Sequence, residues 1–147
     1  MIVTVTSHKR SYMPLLLMGD ESEAMINRYL DRGTLYVKML AGSPVSVCVV
    51  TIESPDVVEI KNLAVLPQCR RQGIGSEMLR HVELMHKGMT LMLGTGETPS
   101  TLRFYKAFGF RYSHLIPDFF TTNYPHPIIE EGITLRHMIY LVKRPGL

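Results

Sequence analysis

Residues 57–76 read VVEIKNLAVLPQCRRQGIGS, and this stretch decides the fold. Residues 57–66 are mostly apolar and β-branched, which predicts a buried strand, and Pro67 ends it. The loop RRQGIG at residues 70–75 then opens a helix over residues 73–87, which the spacing of Ile74, Met78, Val82 and Met85 predicts as a buried stripe, with Gly88 as a left-handed cap. A strand that passes through a glycine-containing loop into a helix is typical of a phosphate site.

The loop residues themselves indicate how an anion would be held. Gly73 and Gly75 have no Cβ, so backbone N–H groups can approach a ligand closely at the positive end of the helix. Arg70 and Arg71 can add charge-assisted hydrogen bonds. The spacing alone is equally compatible with a strand-to-helix turn that needs glycine, and the loop lacks both the Gly-Lys-Ser/Thr of a P-loop and the three-glycine dinucleotide pattern.

Around this stretch the chain alternates between strand and helix patterns. Residues 34–40, 45–53 and 57–66 predict a three-stranded antiparallel meander. Thr98, as N-cap, and Pro99 predict the start of a second long helix, which ends at Gly109. Weaker patterns predict helices within residues 12–30, strands at residues 90–93, 110–115 and 133–142, and an irregular segment at residues 116–132. We therefore predict an α+β fold class with a mixed, mostly antiparallel central sheet flanked by helices.

Composition limits the class of protein. The chain has 147 residues, 46% hydrophobic and 20% charged, so we expect a single domain over residues 1–147. No apolar run approaches the ~18 residues of a membrane span. A net charge of +3 without a basic run argues against nucleic acid as a partner. Cys48 and Cys69 are too few for a disulfide framework, which predicts reduced thiols in a cytoplasmic protein.

Two stretches resemble motifs of one enzyme superfamily. The run LAVLPQCRRQGIG, residues 63–75, resembles motif A of the GNAT superfamily of N-acetyltransferases, with Arg70, Gly73 and Gly75 at its defining positions. The run TPSTLRFYKAFGF, residues 98–110, resembles motif B, which Tyr105, Gly109 and Phe110 fit. The order and separation of the motifs make the resemblance specific, and it implies the acyl-CoA N-acyltransferase fold.

The resemblance implies acetyl-CoA as cosubstrate. The main chain of Leu63, Ala64 and Val65 would pair with the pantetheine arm, and this strand would bulge near the thioester. The backbone amides of the loop and first helical turn would hold the pyrophosphate, at Arg71, Gln72, Gly73, Ile74, Gly75 and Ser76, with Arg70 beside them. Many members carry an asparagine at the position of Thr98, and because a capping role explains the threonine, we expect no cosubstrate contact from it.

The resemblance also implies two catalytic residues. Glu59 matches the base that deprotonates the attacking amine, and alternation along the strand places it on the same face as Lys61 and Leu63. The alternative is a strand carboxylate paired with Lys61. Tyr105 matches the acid that protonates the departing CoA sulfur, and the alternative is a core aromatic. The backbone N–H of Leu63 or a neighbour is the expected oxyanion donor.

The acceptor and the remaining titratable residues are less well specified. The acceptor pocket is expected in residues 12–32 and 118–126. There, acidic side chains would bind a cationic amine, and aromatic rings would cover the rest of the acceptor molecule. The alternative is that the acids only cap a helix and the rings only fill a gap in the packing. These residues are Asp20, Glu21, Glu23, Asp118, Phe119, Phe120, Tyr124 and His126. His81 and His86 lie five positions apart and do not converge on a helix, so we predict no metal site.

The resemblance implies an acetyl-CoA-dependent N-acetyltransferase in which a primary amine attacks the thioester directly. We rank a small-molecule amine first as the acceptor. The alternatives are a protein or peptide amine acetyltransferase and a non-catalytic acyl-CoA-binding regulatory module. The resemblance also allows a homodimer through the last strands, which the sequence does not decide.

Overall fold

The computed structural model describes residues 1–146. Backbone contacts divide the chain into two compact units, Met1–Met89 and the chain from Thr90 onwards. Antiparallel strand pairs and helices occur in both units, which confirms the predicted α+β class with a mostly antiparallel sheet. Within residues 1–146, no helix combines the length and the apolar character needed to cross a membrane.

The first unit joins four antiparallel strands to three α-helices. Its elements are β1 Ile2–Val5, α1 Met13–Gly19, α2 Glu23–Asn27, β2 Thr34–Leu40, β3 Ser43–Ser54, β4 Val57–Val65 and α3 Ile74–Met85, with 3-10 turns at Lys9–Tyr12 and Pro67–Cys69. The strands pair in the order β1-β2-β3-β4. The predicted meander β2-β3-β4 is confirmed, but β1 was not predicted, because a four-residue strand has too short a pattern to recognise.

The core of the first unit lies between α1, α2 and one face of the strands. Burial of each aliphatic side chain there contributes roughly 1.5–3 kcal/mol. The buried cluster contains Leu15, Leu16, Ile26, Leu30, Leu35, Val37, Val47 and Val49. Ser22 caps α2, its Oγ accepting the backbone N–H of Met25 at 3.2 Å, as the residues before that helix predict.

Helix α3 buries one stripe of side chains and ends close to its predicted limit. The buried residues are Ile74, Met78, Leu79 and Val82. The prediction that Met85 belongs to this stripe is wrong: its side chain is exposed because the helix ends there. Gly88 then takes the predicted left-handed conformation, with φ 86°.

The second unit is built on three antiparallel strands and one long helix. Its elements are β5 Thr90–Thr95, α4 Pro99–Phe108, β6 Arg111–Ile116, α5 Phe119–Asn123, β7 Ile129–Glu130, β8 Ile133–Thr134 and β9 Met138–Lys143. The sheet strands run in the order β5-β9-β6, and β7 and β8 form a separate hairpin. Gly109, with φ 119°, ends α4 as predicted.

Two predictions in the second unit are wrong. The segment 116–132 is not irregular, because it contains α5 and β7. The strand predicted over residues 133–142 is divided into β8 and β9. The chain leaves the strand at Leu135, whose N–H donates to the Ile128 carbonyl at 2.8 Å and whose side chain is buried beside Ile128 and Phe120.

Candidate functional site

The loop before α3 presents its backbone to solvent. Residues 70–73 are exposed, and Arg71 and Gly73 have left-handed φ angles of 63° and 77°. Gly73 is the N-cap of α3, and no side chain makes a capping hydrogen bond there in the described structure. A Cβ added to Gly73 would meet no described atom within 4 Å. The first N–H groups of α3 are therefore available to an anion, as the phosphate interpretation requires.

The base of this loop is fixed to the strands. Cys69 and Ile74 are buried against Val45, and the N–H of Leu66 donates to the Val45 carbonyl at 2.9 Å. The Arg70 guanidinium is 3.3 Å from the Val65 carbonyl, so this side chain turns back towards the end of β4. The structure thus brings the predicted loop residues next to the predicted strand residues Leu63, Ala64 and Val65.

Strand β4 carries the bulge that the resemblance implied. Val49 and Val50 of β3 lie opposite Asn62 and Ile60, so Lys61 has no partner in β3. The extra residue changes which side chains share a face. Glu59 lies opposite Thr51, and Leu63 lies opposite Cys48.

The position of Glu59 corrects one prediction. Its partner Thr51 lies three residues along β3 from Cys48, the partner of Leu63, so Glu59 and Leu63 point to opposite faces. Simple alternation fails because of the bulge at Lys61. The Glu59 side chain is buried, and its Oε2 is 3.0 Å from the Lys61 ammonium, which is the ion pair that the sequence left open.

Sequence reasoning missed a buried polar network that begins at Asn62, the residue after the bulge. The Asn62 Nδ2 donates to the Leu16 carbonyl and to the Tyr29 hydroxyl, and Tyr29 donates to the Asp20 carboxylate. Burial, and next the charge of Asp20, raise the pKa of Tyr29, so the phenol stays protonated. The sequence feature that could have indicated this network is an asparagine within a run of apolar, β-branched residues.

Helix α4 positions Tyr105 and Thr98. Tyr105 is buried, with edge-on ring contacts to Phe104 and Phe110 at 5.1 and 5.6 Å between centroids. Thr98 is also buried, but its side chain makes no capping hydrogen bond, and within residues 1–146 its Oγ1 has no partner. Thr98 thus occupies the predicted N-cap position of α4, but the prediction that its side chain caps the helix is wrong.

The aromatic side chains of the segment after β6 pack on one another. The Phe119, Phe120 and Tyr124 rings pack on each other and on Ile128, which supports the gap-filling alternative. The Asp118 carboxylate accepts a hydrogen bond from the Arg136 guanidinium, which holds the pKa of Asp118 below its usual range.

The remaining predicted acceptor residues lie at two places. Asp20 accepts the Ser22 N–H at 3.3 Å and belongs to the junction of α1 and α2, where Glu21 and Glu23 are exposed. His126 is exposed in the loop before β7. The three acids of the junction are neighbours in sequence, and Asp118 is paired with Arg136.

The histidines of α3 pack on the sheet. Tyr36 is hydrogen-bonded to His86 Nε2 at 2.9 Å and meets the His81 ring edge-on. Burial lowers the pKa of both histidines. Within residues 1–146, no three His, Cys, Asp or Glu side chains are grouped so that they could hold a metal ion.

Comparison with known proteins places these features in one family. The model of the acetyltransferase (GNAT) domain matches residues 31–112. An uncharacterized N-acetyltransferase of Bacillus subtilis (strain 168), YvbK, is 34% identical over 131 residues, which cover 86% of this chain and 84% of that protein.

Solved structures agree over nearly the whole chain. A GNAT family acetyltransferase from Elizabethkingia anophelis with acetyl-CoA bound is 33% identical, covering 98% of this chain and 97% of that one, with a TM-score of 0.91. An IAA acetyltransferase from Bacillus cereus ATCC 14579 is 37% identical over 98% and 99% of the two chains, with a TM-score of 0.90. A Bacillus subtilis acetyltransferase in complex with CoA is 29% identical over 97% of both, with a TM-score of 0.84. The chain belongs to the GNAT family of N-acetyltransferases.

Proposed function

We propose that the chain, as a single domain, transfers the acetyl group of acetyl-CoA to the primary amine of a small molecule by direct attack. The observation that carries the proposal is the loop before α3. Its exposed backbone turns through two left-handed residues, Arg71 and Gly73, into a 12-residue helix whose N-terminus no side chain caps in the described structure. Two similar proteins have acetyl-CoA or CoA bound, which favours the same ligand here.

The cosubstrate is held mainly by backbone groups. The amides of residues 71–76 bind the pyrophosphate, with positive charge from Arg70 and Arg71 nearby. The pantetheine arm pairs with the main chain of residues 63–65. Thr98 adds a polar contact to the pantetheine, because its buried hydroxyl has no partner within residues 1–146 and a pantetheine amide would supply one.

The reaction breaks the thioester C–S bond and forms a C–N bond. The neutral amine attacks the carbonyl carbon, and the N–H of Leu63 or a neighbour stabilises the negative oxygen. The amine proton passes to Glu59, directly or through one water. Tyr105 gives its proton to the departing sulfur and so releases CoA as the thiol.

The acceptor is expected to approach as a cation. Asp20, Glu21 and Glu23 lie within four positions at the junction of α1 and α2, on a chain whose net charge is +3. A group of acidic residues at the entrance to the acceptor site of a basic protein raises the local concentration of a positively charged amine. We also propose a cytoplasmic location, since Cys48 and Cys69 are both free and buried.

The test measures release of the CoA thiol from acetyl-CoA over a panel of amines, polyamines and short peptides. Wild type is compared with Tyr105→Phe and with Tyr112→Phe, which makes the same change on an exposed strand residue. We expect turnover with one class of small amine, a kcat that falls by about 10²–10⁴-fold in Tyr105→Phe, and no change in Tyr112→Phe.

Other results would redirect the proposal. Turnover with peptides alone would identify a protein acetyltransferase. Binding of acetyl-CoA without release in the presence of any acceptor would identify a binding module. Full turnover in Tyr105→Phe would remove that residue from the acid role and leave it as a core aromatic.

A further inference from the structure

Asn62 is a polar side chain in a position that favours an apolar one. It is 3% exposed and follows the bulge residue Lys61 in β4. Its Oδ1 is fully buried and has no hydrogen-bond partner within residues 1–146. An unpartnered buried acceptor lowers stability, so stability alone does not explain an amide here.

The bonds that Asn62 does make connect β4 to α1 and to the chain just after α2. Its Nδ2 is 2.9 Å from the Leu16 carbonyl in α1 and 3.1 Å from the hydroxyl of Tyr29, just after α2. Tyr29 in turn is 3.2 Å from Asp20 Oδ2. The side chain therefore fastens the strand, at the residue after its bulge, to α1 and to the chain that follows α2.

The fit between Asn62 and α1 depends on Gly19, the last residue of that helix. A Cβ at position 19 would lie 2.2 Å from Asn62 Oδ1 and 3.2 Å from the Leu63 carbonyl oxygen. Because real side chains do not approach so closely, an alanine here would displace the amide. The end of α1 thus lies directly against the two residues that follow the bulge.

We propose that Asn62 is a positioning residue for acetyl transfer. By holding β4 just after the bulge, it fixes the main chain at Leu63, the proposed oxyanion donor. Donors of this kind act only if they are already aligned when charge develops, and a displacement of about 1 Å can cost 10²-fold in rate. This inference rests on the proposed function.

The first test compares Asn62→Ala with Ser22→Ala. Ser22 caps α2 at the same junction by accepting the backbone N–H of Met25, so its loss loosens the helix without releasing the strand. We expect kcat to fall by at least ~10-fold in Asn62→Ala, and the Kd for CoA to change by less than kcat does, because the loop at residues 70–73 is untouched. Ser22→Ala should keep kcat within about twofold.

Gly19→Ala supplies an independent perturbation of the same contact. It should lower kcat in the wild-type background and have a smaller further effect in Asn62→Ala, where the clash with Asn62 Oδ1 is gone and only the closer approach to the Leu63 carbonyl oxygen remains. If Asn62→Ala does not fold, Tyr29→Phe keeps the ring, removes one of the two Asn62 bonds and should lower kcat in the same direction.

Three results would overturn the inference. They are a kcat in Asn62→Ala within twofold of wild type, an equal loss in Ser22→Ala, and additive effects of Gly19→Ala and Asn62→Ala. If wild type acetylates no amine, the proposed function fails. Hydrogen exchange at the backbone amide of Leu63 then tests the positioning role of Asn62 on its own. Exchange that is faster in Asn62→Ala than in Ser22→Ala supports positioning, and equal exchange contradicts it.

Discussion

Helices α3 and α4 begin in opposite ways, although within the described residues neither has a side-chain cap. Helix α3 starts at Gly73, an exposed residue with a left-handed φ of 77°, and a Cβ added there would meet nothing within 4 Å. Helix α4 starts at Thr98, an extended residue that is 1% exposed, followed by Pro99. One helix start is open to solvent and the other is enclosed.

This difference matches the two kinds of ligand contact that we propose. The open start of α3 offers several backbone N–H groups and arginine charge, which suits a pyrophosphate. At α4, Pro99 removes one N–H, and the Thr98 hydroxyl is a single neutral group, which suits an amide. A helix N-terminus therefore does not identify its ligand unless the first residues and their exposure are considered.

The largest expected effect comes from changing Gly73, which makes the α3 start open. Gly73→Ala should weaken acetyl-CoA binding by about 10-fold, because alanine disfavours the left-handed φ by roughly 1–2 kcal/mol and so disturbs the adjoining N–H groups. Gly42→Ala is the matched control: Gly42 has φ 80°, also has open space around it, and lies in the β2–β3 turn.

Titration of acetyl-CoA into both variants measures the effect, with urea denaturation to compare their stabilities. Similar losses of stability, with weakened binding only in Gly73→Ala, would support the assignment of the loop. Equal affinities in the two variants would contradict it.

A smaller effect is expected at the enclosed start of α4. Thr98→Val replaces the unpartnered hydroxyl with a methyl group of similar size, so the free energy of unfolding without ligand should rise by about 1 kcal/mol. Binding of acetyl-CoA should weaken severalfold, because the pantetheine loses a partner. A variant with unchanged stability and unchanged affinity would show that the hydroxyl serves neither role.

The smallest expected effect is on the pH dependence of stability, through His81 and His86 towards the C-terminal end of α3. Because the pKa values of His81 and His86 are lowered on folding, the unfolded chain binds more protons than the folded one near pH 6.5. The free energy of unfolding should therefore fall as the pH drops from 7.5 to 5.5. The change should be smaller in His86→Gln, whereas an identical pH dependence in that variant would remove His86 from the effect.

Sequence patterns predicted the elements that local interactions determine. Helices α3 and α4 follow from apolar spacing and from Gly88 and Gly109 at or beyond their ends, and the β2-β3-β4 meander follows from its turns. These signals lie within a few residues of the element that they define. The GNAT resemblance rested on the same two helices and the strand before α3.

The rest depends on contacts between distant residues. The face of Glu59 is set by the bulge at Lys61, and the end of the strand at Leu135 is set by a bond to Ile128. Asn62 gains its contacts from Leu16 and Tyr29, 46 and 33 positions away. Periodicity within one element contains no information on such partners.

We propose above that the backbone amides before and within the first turn of α3 hold the pyrophosphate of acetyl-CoA. Backbone amide chemical shifts, measured as acetyl-CoA is added to the wild-type protein, test this contact. We expect the largest downfield changes at Gly73, Ile74, Gly75 and Ser76, because each N–H gains an anionic acceptor. Saturable binding that leaves these four amides unshifted would contradict the claim.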